Sequence, residues 1–203
     1  FIASASHELR TPLAVVRSGL ESVEKCSNKE ERNHFLHLMS EETIHMKRLI
    51  DDMLLLANSD ADTLTIKPEA CQPDLLLLDT YEKFEPLAKK NGLHLILTLP
   101  EEILPDCFCD IHRTEQIFSI IVDNALCYTP IGGKVTLSCH AENEMLCFLF
   151  EDTGCGISEE KKSHIFERFY RADDAHTDRE HFGLGLCIAK ELTEKQNGNI
   201  QVV

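Results

Sequence analysis

Ser6-His7-Glu8-Leu9-Arg10-Thr11-Pro12-Leu13 places a nucleophilic imidazole, a carboxylate and a hydroxyl on what reads as one helix. His7 and Thr11 are four residues apart and share a helical face. Glu8 lies about 100° round the helix from His7. Pro12 removes the amide that would bond the carbonyl of Glu8, which predicts a kink at the histidine. A nucleophile, a candidate base and a second polar group on an exposed helix point to chemistry done on a side chain. A solvated surface histidine is the plainer alternative, and the rest of the chain decides between the two.

Three further places break an apolar pattern with polar residues. Asp152 has the parity of Leu146, Phe148 and Phe150 and is predicted to point to the buried side at a strand end. A carboxylate there needs a donor: the exocyclic amine of a base is one, and the amide of a tight capped turn is another. Thr153-Gly154-Cys155-Gly156 follows and lets a ligand approach the backbone closely. Asn124 shares a stripe with Ile117 and Ile121 on a strongly apolar helix. Its amide oxygen suits a hard cation such as Mg²⁺, or else a backbone donor in the core. Gly183-Leu184-Gly185-Leu186 opens the last predicted helix, where uncommitted amides can hold phosphate oxygens. Ahead of it, Arg171 to Phe182 is rich in charge and reads either as a flap over a site or as a solvated loop.

Two kinds of element must position these residues. Residues 1–59 carry heptad spacing: Leu9, Leu13, Val16, Leu20 and Val23, then Phe35, Met39, Met46, Leu49, Met53 and Leu56, with Glu42 interrupting the seam. The segment Cys26 to Glu30 reads as the turn between two helices. A two-helix hairpin cannot bury such stripes alone, so a homodimer forming a four-helix bundle is predicted. The alternative is packing on the rest of the same chain. After the polar linker Asn58 to Asp62, residues 60–203 switch period. Alternating strands are predicted around Leu95–Leu99, at 134–141 and at 145–152, with helices near 73–90, 112–128 and 184–196. That order predicts an α/β sandwich, a mixed sheet with helices on one face.

Composition sets limits on function. With 20 Lys and Arg against 35 Asp and Glu, the net charge is −15, which argues against a nucleic-acid surface but not against a nucleotide. Nine cysteines without any CxxC pair read as reduced thiols; Cys107 and Cys109 alternate along a predicted strand. No apolar run is long enough to span a bilayer. The chain opens inside a predicted helix, which suggests a piece of a longer protein.

Taken together, these segments resemble the sensor histidine kinases of two-component systems. Residues 6–13 resemble the H box. Residues 116–130, with Asp123-Asn124-Ala125 and Tyr128-Thr129-Pro130, resemble the N box. Glu151 to Ile157 resemble the first glycine box, Ile165 to Arg171 the F box, and Gly183 to Lys190 the second glycine box. The resemblance implies an α+β protein: a dimerisation and phosphotransfer hairpin (1–59), then an ATP-binding domain of the Bergerat, or GHKL, type (60–203). It implies that His7 attacks the γ-phosphate of ATP, with Glu8 as base or orienter. Thr11 would position water when the regulator is dephosphorylated. The phosphoryl group would pass to an aspartate of a response regulator. Asp152 would bind the adenine amine, Tyr128 would pack near the base, and Asn124 would hold Mg²⁺. Gly154, Gly156, Ile157, Gly183, Leu184 and Gly185 would shape the pocket, and Arg171 would contact the γ-phosphate. It also implies a cytoplasmic location, with membrane attachment through upstream segments.

The chain departs from the family pattern at three positions. Ile120 stands where an acid or amide is usual, Cys127 where a basic residue is usual, and His181 where a glycine is common. These departures predict weak ATP binding or altered phosphate handling. They also keep a second reading in view, a dimerising and docking module with little ATP turnover. A gyrase- or chaperone-type ATPase is disfavoured by the hairpin and its H box.

Overall fold

The computed structural model describes residues 2–143, 145–171 and 182–203. The chain divides into two units: residues 1–64 with 167–184, and residues 65–166 with 185–203.

The first unit is built on a helical hairpin, α1 (Ile2–Lys25) and α2 (Lys29–Asp60). Asn28 caps α2, its side chain accepting from the Glu30 amide at 2.9 Å. Pro12 lies inside α1, which is one continuous helix, and is buried. The inward face of α1 differs from the expected leucine seam. Ala5, Pro12 and Gly19, each seven residues from the next, are its buried positions. Met39 of α2 seats on Gly19 so closely that a Cβ there would lie 2.6 Å from the Met39 Cγ. Small residues thus let the two helices approach each other. Leu13 and Leu20 remain 59% and 55% exposed, so the hairpin does not bury its own stripe. On α2, Leu49 and Leu56 are fully buried, and Glu42 at the seam's interruption faces His45 at 3.8 Å. Helix α2 continues through Asn58, Ser59 and Asp60, residues the patterning assigned to a linker, and Ser59 is buried. Arg168 closes a two-pronged ion pair on Asp60 at 2.6 and 2.7 Å.

In the second unit, β2 (His94–Thr98), β4 (Lys134–Glu142) and β5 (Met145–Asp152) form a mixed sheet in the order β2-β4-β5. The β2–β4 pair is parallel and β4–β5 antiparallel. Helices α3 (Pro73–Lys90) and α4 (Ile111–Tyr128) pack on this sheet, and α6 (Gly185–Glu194) packs on α4. Proline at the first position of α3 suits its start, since an amide there has no partner. The core holds Leu77, Val122, Val135, Leu137, Ile188 and Leu192, all fully buried. Phe118 of α4 lies on Phe148 and Phe150, with ring centroids 4.8 and 5.1 Å apart.

A second, two-stranded sheet joins β1 (Glu69–Cys71) to β3 (Cys107–Cys109) in antiparallel. A single turn, α5 (Glu159–Lys162), follows the β5 strand. The α/β layering therefore matches the patterning.

Candidate active site

The site in the second unit is assembled where α4 ends and β5 ends. Asp110 sets the start of α4: its carboxylate accepts from the Arg113 amide at 3.1 Å and from the Lys67 amide at 2.9 Å. Burial pushes this carboxyl up, but the two amide donors outweigh it and hold it below its ordinary range. The Asp110 amide donates to Gln196 just beyond α6 at 2.7 Å. The far end of α4 is fixed by buried Thr129, whose hydroxyl donates to the Ala125 carbonyl at 2.6 Å. These are positioning residues that motif spacing does not single out.

Asn124 is half-buried on α4, and its Nδ2 donates to the Ile120 carbonyl at 3.1 Å. That bond fixes the amide and leaves Oδ1 as the atom for a cation or its water. Ile120 is spent on packing: a Cβ on Gly185 would lie 3.1 Å from Ile120 Cγ2 and 3.8 Å from Asn124 Nδ2. The first turn of α6 therefore approaches α4 beside Asn124. Cys127 is half-buried one turn further along α4.

Asp152 keeps the parity of Phe148 and Phe150 but is exposed, which differs from the inward position expected of it. It is the last residue of β5, where the cover over the strand ends. Its Oδ1 accepts from the Gly154 amide at 2.8 Å, the capped tight turn that sequence left as one alternative. Its Oδ2 remains as an acceptor. Gly154 is wedged: a Cβ there would meet Asp152 Oδ1 at 2.6 Å and the Tyr128 carbonyl at 2.7 Å. Asp152, Gly154 and the end of α4 at Tyr128 are thereby brought together. Thr153 ties the same turn to β4, its amide donating to the Lys134 carbonyl at 3.1 Å and its Oγ1 accepting from the Lys134 amide at 2.9 Å. Tyr128 is 41% and Ile157 37% exposed, and Gly156 is exposed too.

The other predicted residues belong to the first unit. His7 and Thr11 are exposed on α1, and Glu8 is half-buried. Gly183 has φ +70°, and a Cβ there would meet the Tyr170 carbonyl at 2.7 Å, so only glycine fits. Its carbonyl accepts from the Phe169 amide at 2.8 Å. Leu184 is buried and Arg171 exposed. His181 and the rest of the expected flap, 172–181, lie outside the described residues.

The chain thus combines an accessible histidine on a helical hairpin with a helix-and-glycine-turn site on an α/β sandwich, the two parts that the resemblance to histidine kinases implies. Comparison with known proteins agrees. Residues 1–62 match the His Kinase A (phospho-acceptor) domain, and residues 109–203 match the histidine kinase-, DNA gyrase B- and HSP90-like ATPase. The sensor histidine kinase WalK of Bacillus subtilis (strain 168) is 36% identical over 98% of this chain and 33% of its own length. The sensor protein SrrB of Staphylococcus aureus (strain NCTC 8325 / PS 47) is 33% identical over 100% of this chain and 35% of its own. The chain belongs to the sensor histidine kinase family, and it spans about a third of the length of these curated relatives. Among solved structures, full-length ShkA in complex with AMPPNP is similar with a TM-score of 0.72 at 28% identity, over 95% of this chain and 40% of that one. The Acinetobacter baumannii histidine kinase AdeS shares the fold, with a TM-score of 0.74 at 23% identity, over 96% of this chain and 89% of that one.

Proposed function

We propose that this chain is the catalytic portion of a sensor kinase, residues 1–59 serving as dimerisation and phosphotransfer hairpin and residues 60–203 as ATP-binding domain. The observation that carries the proposal is the gathering of Asp152, Gly154 and the α4 end at Tyr128 on one side of the sandwich, with Asn124 one turn back. Asp152 accepts the adenine amine through Oδ2, and Gly154 and Gly156 admit the base beside Tyr128 and Ile157. Gly183, Leu184 and Gly185 supply the backbone that curls round the phosphates, with Arg171 contributing charge. The residues fit a hydrated Mg²⁺, which when bound neutralises phosphate charge: Asn124 offers an oriented amide oxygen.

His7 is the acceptor. Its ring nitrogen forms a bond to the γ-phosphorus while the bond to the β–γ bridging oxygen breaks and ADP leaves. Glu8, beside it, orients the ring and takes its proton. A receiver-domain aspartate of a response regulator then attacks the phosphorus, the N–P bond breaks and His7 is released; Thr11 positions the water that hydrolyses the regulator's aspartyl phosphate to aspartate and inorganic phosphate. Phosphoryl transfer is mostly positioning plus charge neutralisation, which suits a chain carrying both an acceptor histidine and a nucleotide site. The hairpin acts as a homodimer, and the parent protein is anchored to a membrane through segments upstream. Among the described residues, no helix is long and apolar enough to cross one.

The packing of Ile120 against Gly185 favours a second reading, a docking module with weak nucleotide grip. An ATP and Mg²⁺ titration distinguishes them. The kinase reading predicts saturable binding by the wild-type chain, a loss of about 100-fold in Asp152→Asn, and unchanged binding in His7→Gln. No binding by the wild type, or none of the loss at Asp152, overturns it.

A further inference from the structure

Three cysteines, the first and last 38 positions apart, meet at the small sheet. The register pairs Cys71 with Cys107 and Glu69 with Cys109, so alternation puts all four residues on one face. The sulfur of Cys71 lies 3.1 Å from that of Cys107 and 3.3 Å from that of Cys109, and the last two are 3.9 Å apart. All three are half-buried, and each is a free thiol. Core thiols ordinarily pack against carbon; here each sulfur has two sulfur neighbours.

The Cys107–Cys109 separation of 3.9 Å is that of two thiolates sharing an ion, while the Cys71 sulfur lies closer to both and would move outward to admit one. Around a tetrahedral centre with metal–sulfur bonds of about 2.3 Å, the sulfurs stand roughly 3.8 Å apart. A disulfide requires about 2.05 Å and would leave the third thiol unused. A hollow lined by Cys71 is also lined by Asp79 and Asp106, whose negative charge favours a cation nearby.

We infer that Cys71, Cys107 and Cys109 form a three-thiolate site for one thiophilic d¹⁰ cation of the Zn²⁺ type. Each ligating thiol releases its proton to solvent, the sulfurs keep their oxidation state, and no electrons are transferred. The fourth position falls to water or to Glu69, which stands across the strand from Cys109. Cys109 immediately precedes Asp110, the cap of α4, so the ion would clamp β1 to the segment that starts this helix.

The test uses the reduced, metal-stripped 203-residue chain titrated with Co²⁺. The expected result is thiolate-to-cobalt charge-transfer absorption and tetrahedral visible bands that saturate at one equivalent and are bleached by Zn²⁺. Cys71→Ser and Cys109→Ser lose this signal, while Cys26→Ser and Cys155→Ser keep it. Should a cysteine variant fail to fold, alkylation mapping of the wild type decides: Zn²⁺ shields Cys71, Cys107 and Cys109 and leaves exposed Cys155 reactive. Absence of the bands, their survival in the triple serine variant, or formation of a Cys71–Cys107 disulfide in place of metal uptake overturns the assignment.

Discussion

The hairpin and the sheet-bearing unit treat their apolar residues in opposite ways. In the sheet-bearing unit, Leu77, Val135, Leu137, Ile188 and Leu192 are sealed off, and strongly exposed apolar residues such as Ile103 and Ile131 sit in connecting segments. In the hairpin, the inward positions of α1 go to Ala5, Pro12 and Gly19, while Leu13, Leu20 and Leu54 are more than half exposed. One unit closes its core within a single chain. The other leaves large side chains uncovered, as the proposed homodimer requires. The same division runs through the chemistry. The motif around His7 matches its family pattern throughout, whereas α4 carries Ile120 and Cys127 at positions where polar or basic groups are usual.

The largest effect expected from breaking this comparison is at the hairpin. Leu13→Asp combined with Leu20→Asp converts the dimer to monomer in sedimentation analysis, since each buried leucine is worth roughly 2 kcal/mol and each introduced charge adds a desolvation cost. The sheet-bearing unit keeps its thermal transition. A variant that stays dimeric would show that these leucines face something else.

A smaller gain is expected on the nucleotide side. Cys127→Lys restores a cation one turn from Asn124 and tightens ATP about tenfold, or ~1.4 kcal/mol, by calorimetric titration. Unchanged affinity would mean that charge is supplied from another position.

The smallest effect is electrostatic. Burial foremost, and then the neighbouring Asp51, push the Asp52 carboxyl up to about 6 against the opposing pull of Arg48. Because the folded value lies above the unfolded one, the folded state binds this proton more tightly. The stabilising contribution is complete below the unfolded value and is lost as pH rises through about 6. Asp52→Asn therefore raises the melting temperature at pH ~8 by a few degrees, about 1 kcal/mol after solvent screening, and the gain vanishes near pH ~4. An equal gain at both pH values would contradict the assignment to charge.

Much of the architecture was legible because its signals are local and repeated. The patterning of 73–90 and 112–128 anticipates α3 and α4 to within a residue, since long amphipathic helices carry many matching positions. The strands β1 and α5's single turn are too short to carry a period. The leucine spacing of α1 was visible, but not that its inward face belongs to small residues; heptad counting weights size, and close helix approach rewards its absence. Asp152 shows the limit of parity: alternation gives its side, but burial depends on where the covering layer stops. The three-cysteine cluster was illegible because it depends on pairing between strands 36 residues apart.

In the proposed reaction His7 accepts phosphate from ATP bound by the same protein. The direct measurement is incubation of the dimer with γ-labelled ATP and Mg²⁺, followed by acid and base treatment of the labelled chain. Autophosphorylation at His7 gives label that is lost in acid, kept in base and absent from His7→Gln. Label that survives acid, or that persists in His7→Gln, would contradict it.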